Sequence, residues 1–424
     1  MNYTIKSNKK TEEEKEIKLA LIARHGPDCI GGIEQGIKRG APVLNNLGIK
    51  KIYYLCIDKC NSKDTPYYKV ISFGNINSRI AQLYGIFRIH LWLLLNRNKY
   101  DLIYLENILF IKLFSGKPLK ILLFILLINY LFLSRFFKKP VIWSIHGVYY
   151  PTFLLSSKYK ILTKFMIFLV KISINYFVFF NERGKTEIEH FLNVPRERMY
   201  KMIEDYDPKL FYPPSLEEKL SIRKKLGIPH NFIVITSIAG KWDEKIKNAV
   251  VLLETWKLLC QKFNNILLLL IGPEFSSPLT SEKVKKFIEN NKEFLKNIIV
   301  TGIVSCPWIY IKAADICFHP STTEAFPRAV IESMACGLPV VGLKTEGMVD
   351  LIIHGWNGFL ASKNNAEDFF EYLSLLIEDK ELRKNMGLNA TLSVKDFTTE
   401  KKAKIFLKLC YKALSISKYN EEEN

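Results

Sequence analysis

The sequence predicts an α/β protein built as two halves, each around a parallel sheet. Three observations carry this expectation. Short apolar runs alternate with longer stretches of helical periodicity, the pattern of strands joined by crossover helices. The alternation lapses at one proline-bearing, aperiodic stretch, "EDYDPKLFYPPS" (204–215), and then restarts. The chain has 424 residues, 48% hydrophobic and 24% charged, which is enough for more than one core.

In chain order, the first 16 residues are polar and charged and read as a disordered tail. "IKLALIAR" (17–24) has the pattern of a buried strand, and the glycine-bearing loop "HGPDCIGGIEQG" follows it. A helical stretch runs from Gln35 to about Leu47. "KIYYLCI" (51–57), "DLIYLEN" (101–107) and "PVIWSIHG" (140–147) read as further strands. After 204–215, read as a linker, "FIVITSIAG" (232–240) is strand then loop, and "NAVVLLETWKLLCQKF" (248–263) is a helix. "ILLLLIG" (266–272), "NIIVTGIV" (297–304), "ADICFHP" (314–320) and "LPVVGL" (338–343) are strands, and "AEDFFEYLSLLIED" (366–379) is a helix. The predicted units are a tail (1–16), a first domain (17–205), a second domain (206–397), and a C-terminal helix with an acidic tail (398–424).

The charge is lopsided. Residues 1–200 carry 31 Lys and Arg against 14 Asp and Glu, and residues 201–424 carry 30 against 28. One half is therefore expected to face an anionic partner, nucleic acid or an anionic membrane surface. Two greasy stretches lie in that half. "ILLFILLINYLFL" (121–133) would span only ~20 Å as a helix, short of a ~30 Å hydrocarbon core. In "KYKILTKFMIFLVKIS" (158–173), Lys160, Lys164 and Lys171 share a helical face, as in a basic amphipathic helix at a membrane surface. A core-facing helix with a solvated lysine stripe fits that pattern equally well. The eight cysteines are scattered, and Cys56 and Cys60 lack the partners of a zinc site. With a polar, charged start and no signal-peptide pattern, a reducing cytoplasm is expected.

The most informative segment is "HPSTTEAFPRAVIESMACGLPVVG" (319–342). Pro327 suits the start of a helix and Gly337 its end, with Pro339 beyond, so the spacing predicts a helix from about Pro327 to Cys336. Glu324 then lies in the loop ahead of the helix and Glu332 lies on it. The positive helix end beside Glu324 suits phosphate. A buried carboxylate needs donors, and sugar or ribose hydroxyls are good ones. Spacing alone is equally met by a capping glutamate and a surface one.

This wording resembles the E-x7-E segment of retaining family-4 glycosyltransferases, the glycosyl transferases group 1, which have the GT-B fold. Other segments fall in matching order. "GGIE" (31–34) is similar to the family's first Gly-rich loop, "WSIHG" (143–147) to its strand-end histidine segment, and "AGKWDEKIKN" (239–248) to its basic donor-phosphate segment. "IIVTGIVSCPWIYIKAADICFHPS" (298–321) and "GWNGFL" (355–360) resemble the passages flanking E-x7-E. The resemblance covers roughly 17–415 and is loose between Leu109 and Arg198. It implies two Rossmann-like domains facing across a cleft, with the C-terminal helix returning to the first domain.

Residue by residue, the resemblance implies that Glu332 holds ribose hydroxyls and Glu324 holds hydroxyls of the donor sugar. Around Phe326, Pro327 and Arg328, backbone N–H groups would bind sugar or diphosphate. Lys241 and Lys247 would neutralise the departing diphosphate. Gly32 would let the backbone approach the phosphates, His146 would contact the sugar across the cleft, and the backbone at Ile303 and Val304 would meet the base. The family usually has arginine where Lys241 stands. The interval to Lys247 looks one residue long, which makes Lys245 a competitor. The family's Asn-Gly-x-Asp turn is replaced by "EDYD" (204–207), and "EGMVD" (346–350) departs from its glycine pair and glutamate.

The implied reaction is transfer of a sugar from a nucleotide diphosphate donor, a UDP- or GDP-sugar first, with retention of configuration. No Asp-x-Asp metal segment stands at a fitting position, so neither a metal nor another cofactor is expected. The implied partners are a glycan or lipid-linked acceptor and an anionic membrane surface, with the protein peripheral on the inner face of the cell membrane. Four rival readings remain: a GT-B epimerase, a phosphorylase, a non-catalytic sugar-nucleotide-binding relative, and a basic nucleic-acid-binding protein. The last lacks any zinc-finger, RNP-like or helix-turn-helix pattern. Side chains are silent on the oligomeric state.

Overall fold

The computed structural model describes residues 16–23, 25–28, 32–57, 62–73, 79–106, 139–145, 160–294 and 296–415. The expected tail through residue 15, the greasy stretch 121–133 and His146 lie outside these residues. The chain forms β1 (Ile17–Ala23), α1 (Gly32–Asn46), β2 (Ile49–Cys56), β3 (Tyr68–Ser72), α2 (Arg79–Leu95), β4 (Leu102–Glu106) and β5 (Val141–Ile145). Then come α3 (Lys160–Ser173), β6 (Tyr176–Phe179), α4 (Glu182–Glu187) and β7 (Met199–Lys201). These seven strands make one parallel sheet in the order β3-β2-β1-β4-β5-β6-β7.

The second sheet follows α5 (Leu216–Lys225). It comprises β8 (Ile233–Ile238), α6 (Ala249–Lys262), β9 (Ile266–Ile271), α7 (Glu282–Asn290), β10 (Ile298–Val300), α8 (Pro307–Ala313), β11 (Ile316–His319), α9 (Arg328–Ala335), β12 (Val340–Leu343), α10 (Glu346–Val349) and β13 (Gly358–Ala361). Its six strands are parallel, in the order β10-β9-β8-β11-β12-β13. Helices α11 (Ala366–Glu378), α12 (Lys380–Val394) and α13 (Thr399–Ala413) complete the chain. Parallel strands are covered on both faces, and the sequences agree: every residue of β4, β5 and β9 is buried. In each sheet the strand order reverses beside the first strand, at β1/β4 and at β8/β11, where doubly wound sheets bind ligands beyond the strands' carboxyl ends.

Strand β3 and helix α2 are among the elements absent from the sequence reading, as are β6, β7, α5, α7 and α12. Strand β3 is a five-residue edge strand that includes Lys69 and Ser72, and α2 is apolar almost all round. The expected strand at 297–304 shrinks to Ile298–Val300, because Gly302 turns the chain with φ of +69°.

The segment read as a linker is pinned rather than loose. The chain passes from one sheet to the other through Glu204–Tyr206 and returns through Phe397–Thr399, and these two passages lie side by side. The Tyr206 N–H donates to the Phe397 carbonyl (2.9 Å) and the Thr399 N–H to the Tyr206 carbonyl (3.0 Å). Helix α13 then packs Phe406, Leu407, Cys410 and Tyr411 into the core formed by Leu19, Leu21 and Ile52 of the first sheet. A charged cluster holds the double crossing. Asp205 is fully buried and accepts from Arg328 (2.7 Å), and its other oxygen accepts from the Thr399 hydroxyl (2.7 Å). Glu204 accepts from Lys402 (2.7 Å), whose Nζ is also 3.0 Å from Asp205. So the "EDYD" departure has a physical role: Asp205 anchors the crossing, while Asp207 shapes the turn by accepting from the Lys209 N–H (2.9 Å).

Gly36 of α1 lies against this cluster. A Cβ at Gly36 would overlap the Arg328 guanidinium. Gly36→Ala should therefore push Arg328 off Asp205 and lower stability by about 1–3 kcal/mol, the usual cost of overpacking, although alanine favours helix by about 1 kcal/mol. A urea midpoint equal to or above wild type would refute that packing.

Candidate active site

Strand β8 ends in a loop rooted by Trp242, which is buried and donates its indole N–H to the Pro273 carbonyl (2.9 Å). Within the loop, the Asp243 carboxylate accepts the N–H groups of Lys245 (3.0 Å), Ile246 (2.5 Å) and Lys247 (3.2 Å). Asn248 closes the turn in a left-handed conformation (φ of 56°) and donates to the Pro320 carbonyl (3.1 Å). The Thr322 N–H donates to the Ile246 carbonyl (2.9 Å). This turn, knotted on Asp243 and tied to the loop after β11, aims Lys247 at Glu324. The Lys247 Nζ lies 2.7 Å from Glu324 Oε1.

His319, the last residue of β11, is buried and places Nε2 3.0 Å from the same oxygen. Burial pushes the Glu324 carboxyl up, but the His319 hydrogen bond and the charges of His319 and Lys247 outweigh it and hold the group well below the usual range. Glu324 is therefore ionised. An ionised carboxylate only accepts, so His319 Nε2 must carry the proton in this bond.

Helix α9 begins four residues after Glu324. Its bounds, Arg328–Ala335, fall one residue inside the expected ones, with Pro327 as the N-cap residue and Gly337 in a positive-φ turn at the far end. The first N–H groups of this helix open toward the segment that carries Glu324. The Phe326 ring wedges between the cores of both sheets and lies 5.8 Å from Phe397.

The remaining expected site residues are dispersed. Lys241 is half-exposed and paired with Asp243 (3.0 Å). The Arg328 guanidinium is buried on Asp205 at the crossing, which leaves its backbone at the α9 start. Gly32 is the first residue of α1, beyond the carboxyl end of β1. Ile303 is 47% exposed and Val304 packs against the core, both beyond the carboxyl end of β10.

Glu332 already has a protein partner. It does not wait on a ligand's hydroxyls for a donor, because Arg39 of α1 reaches across and donates to its Oε1 (2.8 Å). Both glutamates are thus satisfied by cations of the protein itself, and bound hydroxyls would join or displace those partners. Arg39, His319 and Asn181 were missed. Only His319 carried a local signal, its place at a strand end five residues before Glu324. Asn181 bridges the cleft, donating from Nδ2 to the Ala325 carbonyl (2.6 Å), and Arg183 pairs with Glu346 nearby.

Residues 218–409 match the family described as Glycosyl transferases group 1. An uncharacterized glycosyltransferase of Methanocaldococcus jannaschii is 34% identical over 122 residues, which is 28% of this chain and 34% of that one. The N,N'-diacetylbacillosaminyl-diphospho-undecaprenol alpha-1,3-N-acetylgalactosaminyltransferase of Campylobacter jejuni is 30% identical over 205 residues, 47% of this chain and 50% of that one. The chain thus spans about a third to a half of the length of these relatives. Among solved structures, Anabaena HepE in complex with UDP and glucose is similar with a TM-score of 0.70 at 17% identity, covering 93% of this chain and 99% of that one. The chain accordingly has the GT-B fold, and its residues 218–409 match the glycosyl transferases group 1.

Proposed function

We propose that this chain is a retaining, metal-independent glycosyltransferase. It moves a sugar from a nucleotide diphosphate donor, a UDP- or GDP-sugar, to a lipid-linked or cell-envelope glycan at the inner face of the cell membrane. The observation that carries this reading is the ion pair of Lys247 with Glu324 in the loop that leads into α9, a helix whose start has no side-chain cap. In the proposed step the bond from the anomeric carbon to the diphosphate oxygen breaks, and a new bond to an acceptor hydroxyl oxygen forms on the same face. The acceptor's proton leaves with the diphosphate. Lys247 and the α9 N–H groups meet the negative charge that develops on the leaving group. Glu324 and Glu332 bind hydroxyls of the sugar and the ribose, and Lys241 adds positive charge at the cleft mouth. The backbone at Gly32, Phe326, Ile303 and Val304, with His146, completes the donor site.

The UDP and glucose of the HepE complex, and the polyprenyl diphosphate in the name of the Campylobacter relative, support the donor and acceptor classes. The test is a thermal-shift series with UDP-, GDP- and ADP-sugars, followed by a transfer assay. One donor at 100 times its Kd should stabilise the folded chain by about 2.7 kcal/mol. No shift with any of them sinks the donor assignment.

A membrane acceptor is supported by α2 and α3. Phe87, Leu91 and Leu95 recur every four residues on α2 and are 59%, 44% and 75% exposed. On α3, Leu169 and Val170 enter the core while Lys164 and Phe168 face outward, so that helix is both core-facing and basic on its outer side. No helix among the described residues is long and apolar enough to cross a membrane. Flotation with anionic vesicles at low salt should recover the protein. Leu91→Asp with Leu95→Asp should weaken binding roughly tenfold or more, as burying an apolar side chain is worth about 1.5–3 kcal/mol. Equal flotation of the variant would exclude this face.

A further inference from the structure

Strand β6 ends at Phe179, and two residues later Asn181 caps α4. Its Oδ1 accepts the Gly184 N–H (2.7 Å), which orients the amide so that Nδ2 faces the opposite half of the molecule. There Nδ2 donates to the Ala325 carbonyl (2.6 Å), 144 residues away in sequence. Asn181 is 2% exposed, so both ends of its amide are committed in a dry setting.

The Ala325 carbonyl and the Phe326 N–H belong to one peptide unit. The described residues contain no cis peptide bond, and in a trans unit the carbonyl and the N–H point in opposite directions. Fixing the carbonyl therefore fixes where the Phe326 N–H points. The preceding unit is fixed as well: the Glu324 carbonyl accepts from the Gly347 N–H (3.0 Å). Gly347 must be glycine for this approach, since a Cβ would overlap the carbonyl oxygens of Glu324 and Ala325. Two consecutive peptide units just ahead of α9 are thus clamped through their carbonyls. The clamp on the first comes from the same half of the molecule. The clamp on the second comes from the facing half.

We propose that Asn181 is a positioning residue that aims the Phe326 N–H at the departing diphosphate, and does so only when the two halves are closed. This rests on the glycosyltransferase reading above. A donor accepted by the carbonyl also polarises the peptide unit, which strengthens the N–H on its other side. Closure thereby completes the electrostatic site as well as excluding water. A nucleotide bound to the open protein meets Lys247 and α9 but lacks this aimed N–H. The contact therefore favours the transition state over nucleotide binding.

Asn181→Asp is the discriminating variant. Aspartate retains the cap on α4, where a negative charge is favourable, but replaces the donor with an oxygen that repels the Ala325 carbonyl. The expected result is a fall in kcat of roughly 10–100-fold, less than the loss of a direct oxyanion donor. KM for the sugar nucleotide and Kd for UDP should change less than about threefold. Asn181→Ser, which caps but does not reach, should lose kcat to a similar extent. A second readout is independent of turnover. "Ala-Phe" occurs once in the sequence, at 325–326, so carbonyl-13C alanine with 15N phenylalanine labels this peptide bond alone. Its NMR peak should move in Asn181→Asp. Wild-type kcat in Asn181→Asp, an unmoved peak, or a nucleotide Kd that weakens in step with kcat overturns the proposal. A wild-type protein that neither binds nor transfers from any sugar nucleotide overturns the function reading instead.

Discussion

Replacing Lys247 by alanine is expected to lower kcat about 10²–10³-fold, the usual loss for one preorganised partner of a developing anion. The variant removes the lysine paired with Glu324 and leaves that carboxylate buried with His319. Burial is the largest influence on the Glu324 carboxyl and acts to raise it. Without Lys247 that influence is less opposed, so the group should titrate closer to the working pH. Lys241→Ala and Lys245→Ala provide the comparison. Lys241 is half-exposed on Asp243, and Lys245 lies on the exposed rim of the turn, so each should lose less than about tenfold. If Lys247→Ala keeps activity within threefold of wild type, another cation neutralises the leaving group and the site assignment fails.

Arg328→Met should destabilise the protein by about 3–5 kcal/mol, the cost of stripping one partner from a buried ion pair. Asp205 would be left with Lys402 and Thr399, and Glu204 with Lys402. The first unfolding transition in urea is the measurement, since a chain with two cores need not unfold in one step. The pH dependence has a definite sign. Burial pushes Asp205 up, but Arg328 and Lys402 dominate and hold its carboxyl below the usual range. A depressed carboxyl contributes stability that is fully present above the unfolded value of about 3.9 and is lost as pH falls through the folded value. The gap in stability between wild type and Asp205→Asn should therefore stay constant from pH 7 to about 5 and narrow below about 4. A gap that widens on acidification, or no gap at pH 7, would mean that the crossing is not held by charge.

Much of the architecture was readable because its signals are local. "ILLLLI" can only be a strand buried on both faces, and "PRAVIESMACG" carries its own start and stop. Among the elements that escaped, β3 and α2 lack a periodic contrast between faces: β3 is a short edge strand and α2 is apolar nearly throughout. At the candidate site, Lys247 was ranked above Lys245 by resemblance alone. In the structure Asp243 binds three N–H groups of this turn, Lys247 pairs with Glu324, and Lys245 lies on the exposed rim.

The sequence by itself determined the class of fold, its two alternating strand-and-helix halves, and a segment with one glutamate ahead of a helix and another on it. Tertiary structure alone decided what those glutamates meet. Arg39 reaches Glu332 from 293 residues away, Asn181 reaches Ala325 from 144, and Asp205 takes Arg328 from 123. Helical and strand periodicities relate residues only a few positions apart. A hydrogen bond, in contrast, needs its partners within about 3 Å. Which distant side chains meet that requirement depends on how α1 and α13 pack against the first sheet and how its loops face the second, a geometry that no local pattern encodes.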